Sequence, residues 1–468
     1  MSKKNSGTAD NPYTRGIASY IAKQRYEDIP DKVRERLKLV MLDSIGCGIY
    51  AAELEWSRIL IDALKEVDTS TGCAIWGSSD RISAPHAALV NGTLIQGFEI
   101  DDVFHRGPIH VGAVVLPALF AVAETRPKMS GREFLRAALV GYEIAPRAAL
   151  CMGPEHLGQG WHSGATTGVF GAAAGAAAGL GLDEEKAVHA LGIAGTQASG
   201  LMAAQYGAMV KRMHAGRASQ SGLYGALLAA RGFTGIVDVF ESKYGGFCTA
   251  FSNSTDRFNL HELTAGLGET YHTMEIFLKF YSCVGGVHPT LDAIRELREK
   301  RAFSAGEVEK VTVGVSQISV DHSGWKYRPE GVTSAQLNMS YCLATMLIDG
   351  ECFVDQFSEN RVADPGRLAM IERIEIKHDP EITALGRPYR HKVHVEVRLK
   401  DGAALKTTIQ KRFDEMPFPS AERVIKKFDT LARHAFPQSQ VDNIRDAVLG
   451  LEKLDDAKTL ARLLTKNP

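Results

Sequence analysis

The chain has 468 residues, 45% of them hydrophobic, and a formal net charge of −1 at pH 7. This length allows two or three domains or one large two-part body. Because the charge is balanced and no basic field or polybasic tail is present, the composition argues against a nucleic-acid partner and against binding to an anionic membrane.

The N-terminus and the cysteines indicate a reducing compartment. The opening residues, MSKKNSGTADNPY, are polar and lack the apolar core of a signal peptide. The seven cysteines are odd in number and include no C-x-x-C pair. This spacing supports neither a disulfide framework nor a zinc or iron–sulfur site. We therefore expect a cytoplasmic protein without a zinc or iron–sulfur centre.

Residues 12–260 have the periodicity of helices. An apolar stripe at helical spacing follows Asp31, Ser130 and Glu133 have the spacing of a capping box, and Asp183 can cap another helix. Residues 163–182 carry no charge but consist mostly of Ala and Gly, which have little transfer energy into a membrane. We predict a buried helix there, whose glycines at spacing four let a second helix approach closely.

The pattern changes after about residue 268. Alternating apolar residues predict strands at 308–315 and 373–378, and two more strands at 391–409 joined through Asp401 and Gly402 in a hairpin. Helical segments at 289–300 and 334–349 lie between them, and we expect an antiparallel sheet. Helical periodicity returns from Ala421.

These patterns predict a mainly α fold with an α+β part. Residues 1–267 and 411–468 would form a large all-helical domain built from both chain ends. Residues 268–410 would form a smaller α+β lid domain. The cleft between the two is a natural place for a binding site.

Charged and polar side chains recur in apolar surroundings, where unpaired charge is costly. They begin in the stretch 91–124 and continue along the chain, at Glu99, Asp101, Asp102, His110, His162, Lys211, His214, Lys279, His288 and Tyr341. Each has a purely structural alternative: a polar loop between core helices, a satisfied core histidine, an exposed basic pair, a helix start, or aromatic packing.

Together these residue types suit a small polycarboxylate. Lysines and histidines pair with carboxylates and stabilise the enolate-like anion formed beside one. A buried imidazole or lysine with a near-neutral pKa can remove the α-proton, and a second His or Tyr can protonate a leaving hydroxyl. Dehydration, decarboxylation and epimerisation at that carbon would all use this set of groups.

Several segments resemble the MmgE/PrpD family, which contains 2-methylcitrate dehydratases, cis-aconitate decarboxylases and iminodisuccinate epimerases that use no metal. The resemblance rests on residues 91–110 followed by LPALFAVAE, and on GWHSGATTGVFGAAAGAA, MVKRMHAGRAS, LKFYSC with HPTLDA, and the helix at 335–350. It implies a helical domain formed by both chain ends, an α+β lid and a homodimer. The chain has Glu99 where the family usually has Asp, and Val103 where it often has a hydroxyl.

Carried onto this sequence, the resemblance assigns catalytic roles to His110, Lys211, His162, Asp101 and Tyr341. It assigns substrate binding to Glu99, Asp102, His214, Lys279 and His288.

We expect a cofactor-independent lyase acting on a di- or tricarboxylate, most favourably by dehydration of a 2-methylcitrate-like hydroxy acid through α-proton abstraction. A cis-aconitate-type decarboxylase and an iminodisuccinate-type epimerase are alternatives, and a non-catalytic carboxylate-binding protein is the alternative of another class. In this hypothesis His110 and Lys211 lie at the reacting carbon, His162 and Lys279 hold carboxylates, and Tyr341 reaches in from the lid.

Overall fold

The computed structural model describes residues 11–410 and 417–466. Helices dominate the first part of the chain: α1 Pro12–Lys23, α2 Asp31–Ala51, α3 Glu55–Lys65, α4 Ala84–Ile95, α5 Val111–Thr125, α6 Gly131–Met152, α7 Glu155–Gly158, α8 Ser163–Thr166, α9 Gly168–Leu180, α10 Glu184–Gly195, α11 Val210–Ala230 and α12 Phe247–Ser252. Two short paired strands, β1 Cys73–Ala74 and β2 Arg81–Ile82, interrupt them.

The next part mixes helices and strands: α13 His288–Lys300, β3 Val308–Val315, α14 Gln317–Ser323, α15 Val332–Leu337, α16 Met339–Asp349, α17 Glu359–Val362, α18 Pro365–Ile371, β4 Ile374–His378, α19 Pro380–Ala384, β5 Val393–Leu399 and β6 Ala404–Ile409. Three helices follow, α20 Ala421–Ala432, α21 Gln438–Leu449 and α22 Lys458–Leu463. The predicted mainly α fold with an α+β part is therefore confirmed.

Local signals in the sequence set two helix starts as predicted. Ser130 and Glu133 form a reciprocal capping box at the start of α6, and the Asp183 side chain accepts a hydrogen bond from the N–H of Lys186 at the start of α10. Both satisfy N–H groups that have no partner within the helix.

The uncharged segment 163–182 is buried but is not one helix. It divides at Thr167 into α8 and α9, and the Thr167 hydroxyl donates to the Ser163 carbonyl at 2.7 Å. The predicted close approach of a second helix is present, because a Cβ atom added at Gly171 would lie 2.4 Å from the Cβ of Ala145 on α6. None of the described helices is both long and apolar enough to cross a membrane.

A second close crossing joins α4 to α11. A Cβ atom at Gly92 would lie 2.5 Å from the Cα of Gly216, so both positions must remain without side chains. Since α4 leads into Glu99 and α11 begins beside Lys211, this contact sets the distance between two candidate site residues.

The sheet has the order β4-β3-β5-β6, and the prediction that it is antiparallel is wrong for one pair. β3 runs parallel to β4, with Val311 opposite Ile374, and antiparallel to β5. Helices α14 to α18 carry the chain back to the end of the sheet at which β3 began, which makes the pair parallel. The hairpin of β5 and β6 forms as predicted, with Gly402 at φ +87°.

The predicted helix at 334–349 is also interrupted. Asn338 has an extended conformation between α15 and α16, and its side-chain oxygen accepts a hydrogen bond from the N–H of Tyr341 at 3.0 Å. Asparagine competes with helical hydrogen bonding in this way, which explains a break that apolar periodicity does not show.

The C-terminal helices pack on the N-terminal ones. The Lys427 ammonium on α20 lies 2.6 Å from a carboxylate oxygen of Asp43 on α2 and donates to the carbonyl of Ile100 at 2.6 Å. A Cβ atom at Gly46 would lie 3.0 Å from the ring of Phe428. The domain boundaries at residues 268 and 410 stay a prediction.

Candidate active site

A cavity of about 160 Å³ lies where helical segments of the first part of the chain meet the α+β part. Its lining includes five of the predicted site residues, Glu99, His110, His162, Lys211 and Lys279. The other five, Asp101, Asp102, His214, His288 and Tyr341, are not in the lining. Three of those five, Asp101, Asp102 and His214, contact residues that line the cavity.

Glu99 is the centre of the charged part of the cavity wall. It follows the 3-10 turn Gln96–Phe98 and has φ +54°, a left-handed conformation that costs a non-glycine residue about 1–2 kcal/mol. Its carboxylate accepts hydrogen bonds from Lys211, from Arg212 at 2.9 Å and from Lys279 at 3.1 Å. Burial opposes its ionisation, but the charges of these three cations hold the pKa of Glu99 well below its ordinary value.

Backbone pairing between two separate chain segments places Lys279 beside Glu99. Val103 and Phe277 exchange both backbone hydrogen bonds, each 2.9 Å long, which aligns residues 101–104 with residues 277–279. The Lys279 ammonium lies 3.6 Å from the Asp101 carboxylate as well as beside Glu99. Burial alone would lower the pKa of Lys279, but Glu99 and Asp101 raise it above its ordinary value, so this lysine is charged.

The pKa of Lys211 shifts in the opposite direction to that of Lys279 and lies below its ordinary value. Burial lowers its pKa, and the attraction of Glu99 compensates only in part, with Arg212 adding repulsion. The three cations face two carboxylates, Glu99 and Asp101, which leaves one formal positive charge in a site removed from water. Such a site attracts an anion, since the protein does not fully compensate its own charge.

His110 is held by its Nδ1 atom. This nitrogen lies 2.9 Å from the carbonyl oxygen of Asp102 and 2.9 Å from a carboxylate oxygen of Asp101. Because both neighbours are acceptors, Nδ1 carries the proton, and Nε2 is the nitrogen available to the cavity. Burial opposes ionisation of Asp101, but His110 and Lys279 lower the pKa of this carboxyl, so it remains an anion behind the imidazole.

The Asp102 side chain binds the start of α5 and does not line the cavity. Its two carboxylate oxygens accept from the N–H of Gly112 at 3.1 and 3.0 Å, in the first turn of α5. Burial and the adjacent charge of Asp101 raise the pKa of Asp102 well above its ordinary value. Its role is to position His110, which immediately precedes α5.

His162 and His214 form a neutral pair. Their Nδ1 atoms are 2.9 Å apart, so one donates and the other accepts. Burial and the nearby Lys211 charge lower the pKa of His162 well below its ordinary value and lower that of His214 to about 4. His214 therefore supports His162 from behind.

Two predicted residues lie away from the cavity. His288 begins α13, and its Nε2 is 3.2 Å from the carbonyl oxygen of Cys283. The Tyr341 ring is fully buried between Tyr327 and Phe357, and its hydroxyl is 3.5 Å from the Gln356 carbonyl oxygen. The structure thus does not place Tyr341 at the cavity, because the break at Asn338 starts a new helix whose first turn points into the core.

Four further polar residues of the lining, His105, His322, Arg390 and His391, were not among the predicted site residues. The last three come from the α+β part, whereas His105 lies in the stretch 91–124 in which the sequence already showed recurring polar side chains. The Arg390 guanidinium donates to Nε2 of His391 at 2.8 Å and to the His105 carbonyl at 3.3 Å. Burial lowers the pKa of all three histidines, so they are neutral donors or acceptors. The adjacent Arg390 and His391 were a weak signal in the sequence, whereas nothing around His322 marks it.

Most of the rest of the lining is apolar, with Gln205, Ser319 and Ser323 as further polar residues. It includes Val103, Leu157, Met202, Ile318 and Leu337. A buried lining that combines a few charged groups with apolar side chains is typical of small-molecule sites. Among the described residues, the group of donor atoms placed to hold a metal is Cys283, Cys342 and Cys352, and none of these lines the cavity.

The sequence matches two domains of one known protein family. The MmgE/PrpD N-terminal domain matches residues 15–259, and the MmgE/PrpD C-terminal domain matches residues 281–453. Among similar proteins is a cis-aconitate decarboxylase of Aspergillus terreus, 35% identical over 99% of this chain and 98% of that protein.

Two further relatives extend the comparison. The cis-aconitate decarboxylase-like protein oryM of Aspergillus oryzae is 33% identical over 98% of this chain and 98% of its own length. Human cis-aconitate decarboxylase is 26% identical over 96% and 94%. With both domains matched in order and similarity along nearly the whole chain, this protein belongs to the MmgE/PrpD family.

Proposed function

We propose that this protein is an enzyme that decarboxylates a small unsaturated tricarboxylate, cis-aconitate or a close analogue. The observation that carries the proposal is the buried group of Lys211, Arg212 and Lys279 around Glu99, next to a histidine held by Asp101. The similarity along the whole chain to proteins named as cis-aconitate decarboxylases supports this substrate class.

Decarboxylation is better supported than the dehydration favoured by the sequence alone. The similar proteins carry decarboxylase names. A dehydratase must also protonate a leaving hydroxyl, and the cavity has the apolar Val103 where the family often has a hydroxyl group. An apolar wall suits a carboxylate that leaves as neutral carbon dioxide, because that group loses its charge during the reaction.

The proposed reaction conserves atoms and charge. The bond breaks between the CH₂ carbon and its carboxylate, and carbon dioxide leaves. The electron pair forms a new double bond from the CH₂ carbon to the central carbon. The old double bond then shifts its electrons toward the third carbon, as an enolate of the carboxylate there. A proton added to this third carbon gives a dicarboxylate that has a terminal methylene group.

In this scheme His110 donates the proton through Nε2. The Asp101 carboxylate at Nδ1 stabilises the protonated imidazole and fixes the direction of the ring. Lys279, charged beside Glu99 and Asp101, holds the carboxylate on which the enolate charge develops. Lys211 is an alternative donor, because burial lowers its pKa.

Neutral groups would complete the binding of the remaining carboxylates. His162 can donate from Nε2 if its Nδ1 accepts from His214, so an anion would select that tautomer of the pair. On the lid side, Arg390 offers a guanidinium next to His391. Substrate would then contact both parts of the chain.

The test is a substrate panel followed by proton NMR in deuterated buffer. Purified protein is incubated with cis-aconitate, 2-methylcitrate, citrate and iminodisuccinate. We expect carbon dioxide release from cis-aconitate and one deuterium at a single product carbon. Water loss from 2-methylcitrate without decarboxylation would instead support the dehydratase prediction. Exchange of an α-proton for deuterium without net product would indicate an epimerase. Binding with neither exchange nor turnover would indicate a carboxylate-binding protein.

A pair of histidine variants tests the assigned donor. His110→Ala should lower turnover by about 10²-fold or more, the lower range for removing a general acid or base. His156→Ala is the matched control, because His156 is a buried histidine whose Nε2 binds the Thr166 hydroxyl outside the cavity lining. Near-normal turnover in folded His110→Ala would overturn the assignment.

We also propose a homodimer in the cytoplasm. The segment 201–210, beside the cavity, exposes the apolar side chains of Leu201, Tyr206, Met209 and Val210, at 62%, 62%, 44% and 44%. Exposed apolar side chains clustered within ten residues suit a second copy of the chain.

A further inference from the structure

Three buried cysteines meet beneath one wall of the cavity. The sulfur atoms of Cys283, Cys342 and Cys352 all lie within 4.8 Å of one another, and each residue is at most 1% exposed. All three are free thiols. They come from separate places in the chain: the segment after Lys279, the helix α16, and the turn after α16. None of the three stands in a C-x-x-C pair in the sequence.

Backbone hydrogen bonds hold these segments together without using the sulfurs. The N–H of Ser282 donates to the Cys352 carbonyl at 2.9 Å, and the N–H of Val284 donates to the Gln336 carbonyl at 3.0 Å. The position of Cys283 between these two bonds is fixed by main-chain pairing. The three thiols are thus brought together by the fold before any ligand is present, which lowers the entropic cost of binding one.

We propose that Cys283, Cys342 and Cys352 bind one soft, thiophilic metal ion through three sulfur atoms, with monovalent copper as the probe. A metal at the centre of three sulfurs, with bonds of about 2.3 Å as for zinc thiolates, needs sulfurs about 4 Å apart. The observed limit of 4.8 Å requires only a small contraction. Each thiol that becomes a ligand loses its proton to solvent.

The donor set distinguishes this ion from zinc. Structural zinc is almost always held by four ligands, and among the described residues no His, Asp, Glu or fourth Cys joins the three sulfurs. Soft thiolate ligands favour monovalent copper, for which three sulfurs complete the coordination. The site is separate from the cavity lining, so the proposal does not depend on the reaction.

Metal content and coordination are the direct readouts. The full-length protein is produced in copper-supplemented cells and also incubated anaerobically with monovalent copper. We expect one tightly bound copper per chain, and X-ray absorption with three sulfurs at about 2.3 Å. No retained copper, two-coordinate copper, or a preference for zinc with non-sulfur ligands would each overturn the proposal.

Cysteine variants locate the ion. Cys342→Ala and Cys352→Ala should each lose the bound copper. Cys73→Ala, an equally buried but isolated thiol, should retain it. Cys151→Ala is the sharper control, because Cys151 and Cys248 have sulfurs only 3.7 Å apart and form a possible two-sulfur site. Loss of copper in Cys151→Ala, or retention in folded Cys342→Ala, would overturn the assignment.

Discussion

Replacing Glu99 by Gln tests the charge balance of the site. The variant keeps the shape of the side chain but leaves Lys211, Arg212 and Lys279 buried with Asp101 as the remaining contacting carboxylate. Removing one partner of a buried ion pair typically costs about 3–5 kcal/mol, because the other charge stays desolvated. We expect the free energy of unfolding to fall by that amount, measured by urea denaturation without ligand.

A tricarboxylate should reverse much of this loss. One of its carboxylates can bind next to Lys211 and Lys279, which line the cavity and have lost the compensating charge of Glu99, and a ligand at a hundred times its Kd stabilises a folded protein by about 2.7 kcal/mol. We therefore expect cis-aconitate to stabilise Glu99→Gln more than the unmodified protein. The comparison needs only unfolding curves at matched ligand concentrations, so it does not require turnover.

The matched control is Glu143→Gln. Glu143 is also a buried carboxylate, but it accepts from the N–H groups of His272 and Thr273 at 3.0 and 2.9 Å, away from the cavity. This variant should lose stability without any gain in stabilisation by ligand. If Glu99→Gln is as stable as the unmodified protein, or responds to ligand as the control does, the reasoning about uncompensated cations is wrong.

Three further predictions follow from the geometry. Tyr341→Phe should keep turnover within a few-fold, because the hydroxyl lies at Gln356 and not in the cavity; a loss of about 10²-fold in steady-state assays would return Tyr341 to the catalytic set. His214→Asn should weaken the pH dependence of unfolding between pH 6.5 and 4. With its pKa lowered to about 4 by burial, folded His214 stays neutral there while the unfolded chain binds a proton, so stability falls as pH falls. Urea curves at pH 7 and 5 measure this, and an unchanged pH dependence would contradict it. Tyr206→Glu combined with Met209→Glu should convert the predicted dimer to a monomer, measured by light scattering, because two charges would replace exposed apolar side chains. Turnover is assayed in parallel, and a monomeric unmodified protein would refute the dimer.

The sequence predicted the elements better than their arrangement. Capping signals at Ser130 and Asp183 act within one turn of the chain, so they can be read directly. The direction of β4 relative to β3 depends on how five intervening helices return the chain, and no local pattern records that. Asn338 illustrates the same limit, because its side chain ends one helix and caps the next within an apolar run.

The site shows a similar division. Glu99, His110 and Lys211 were identifiable because charged groups in apolar surroundings must be paired or used. Their mutual contacts were not, since Glu99 and Lys279 are 180 residues apart in sequence. His322 and Arg390 were missed because each lies in an ordinary polar segment, and only folding brings them to the cavity wall.

The contact between Gly92 and Gly216 has a consequence for how specificity can change. It ties together α4, which leads into Glu99, and α11, which carries Lys211, so no larger residue fits there without moving both charges. Another part of the lining, with Ile318, His322 and Arg390, comes from the short helix α14 and the segment before β5 in the α+β part. Short helices and loops tolerate sequence change more readily than closely packed long helices. A new substrate would therefore be acquired through changes in the α+β part, while the wall that carries Glu99 and Lys211 keeps its geometry unchanged.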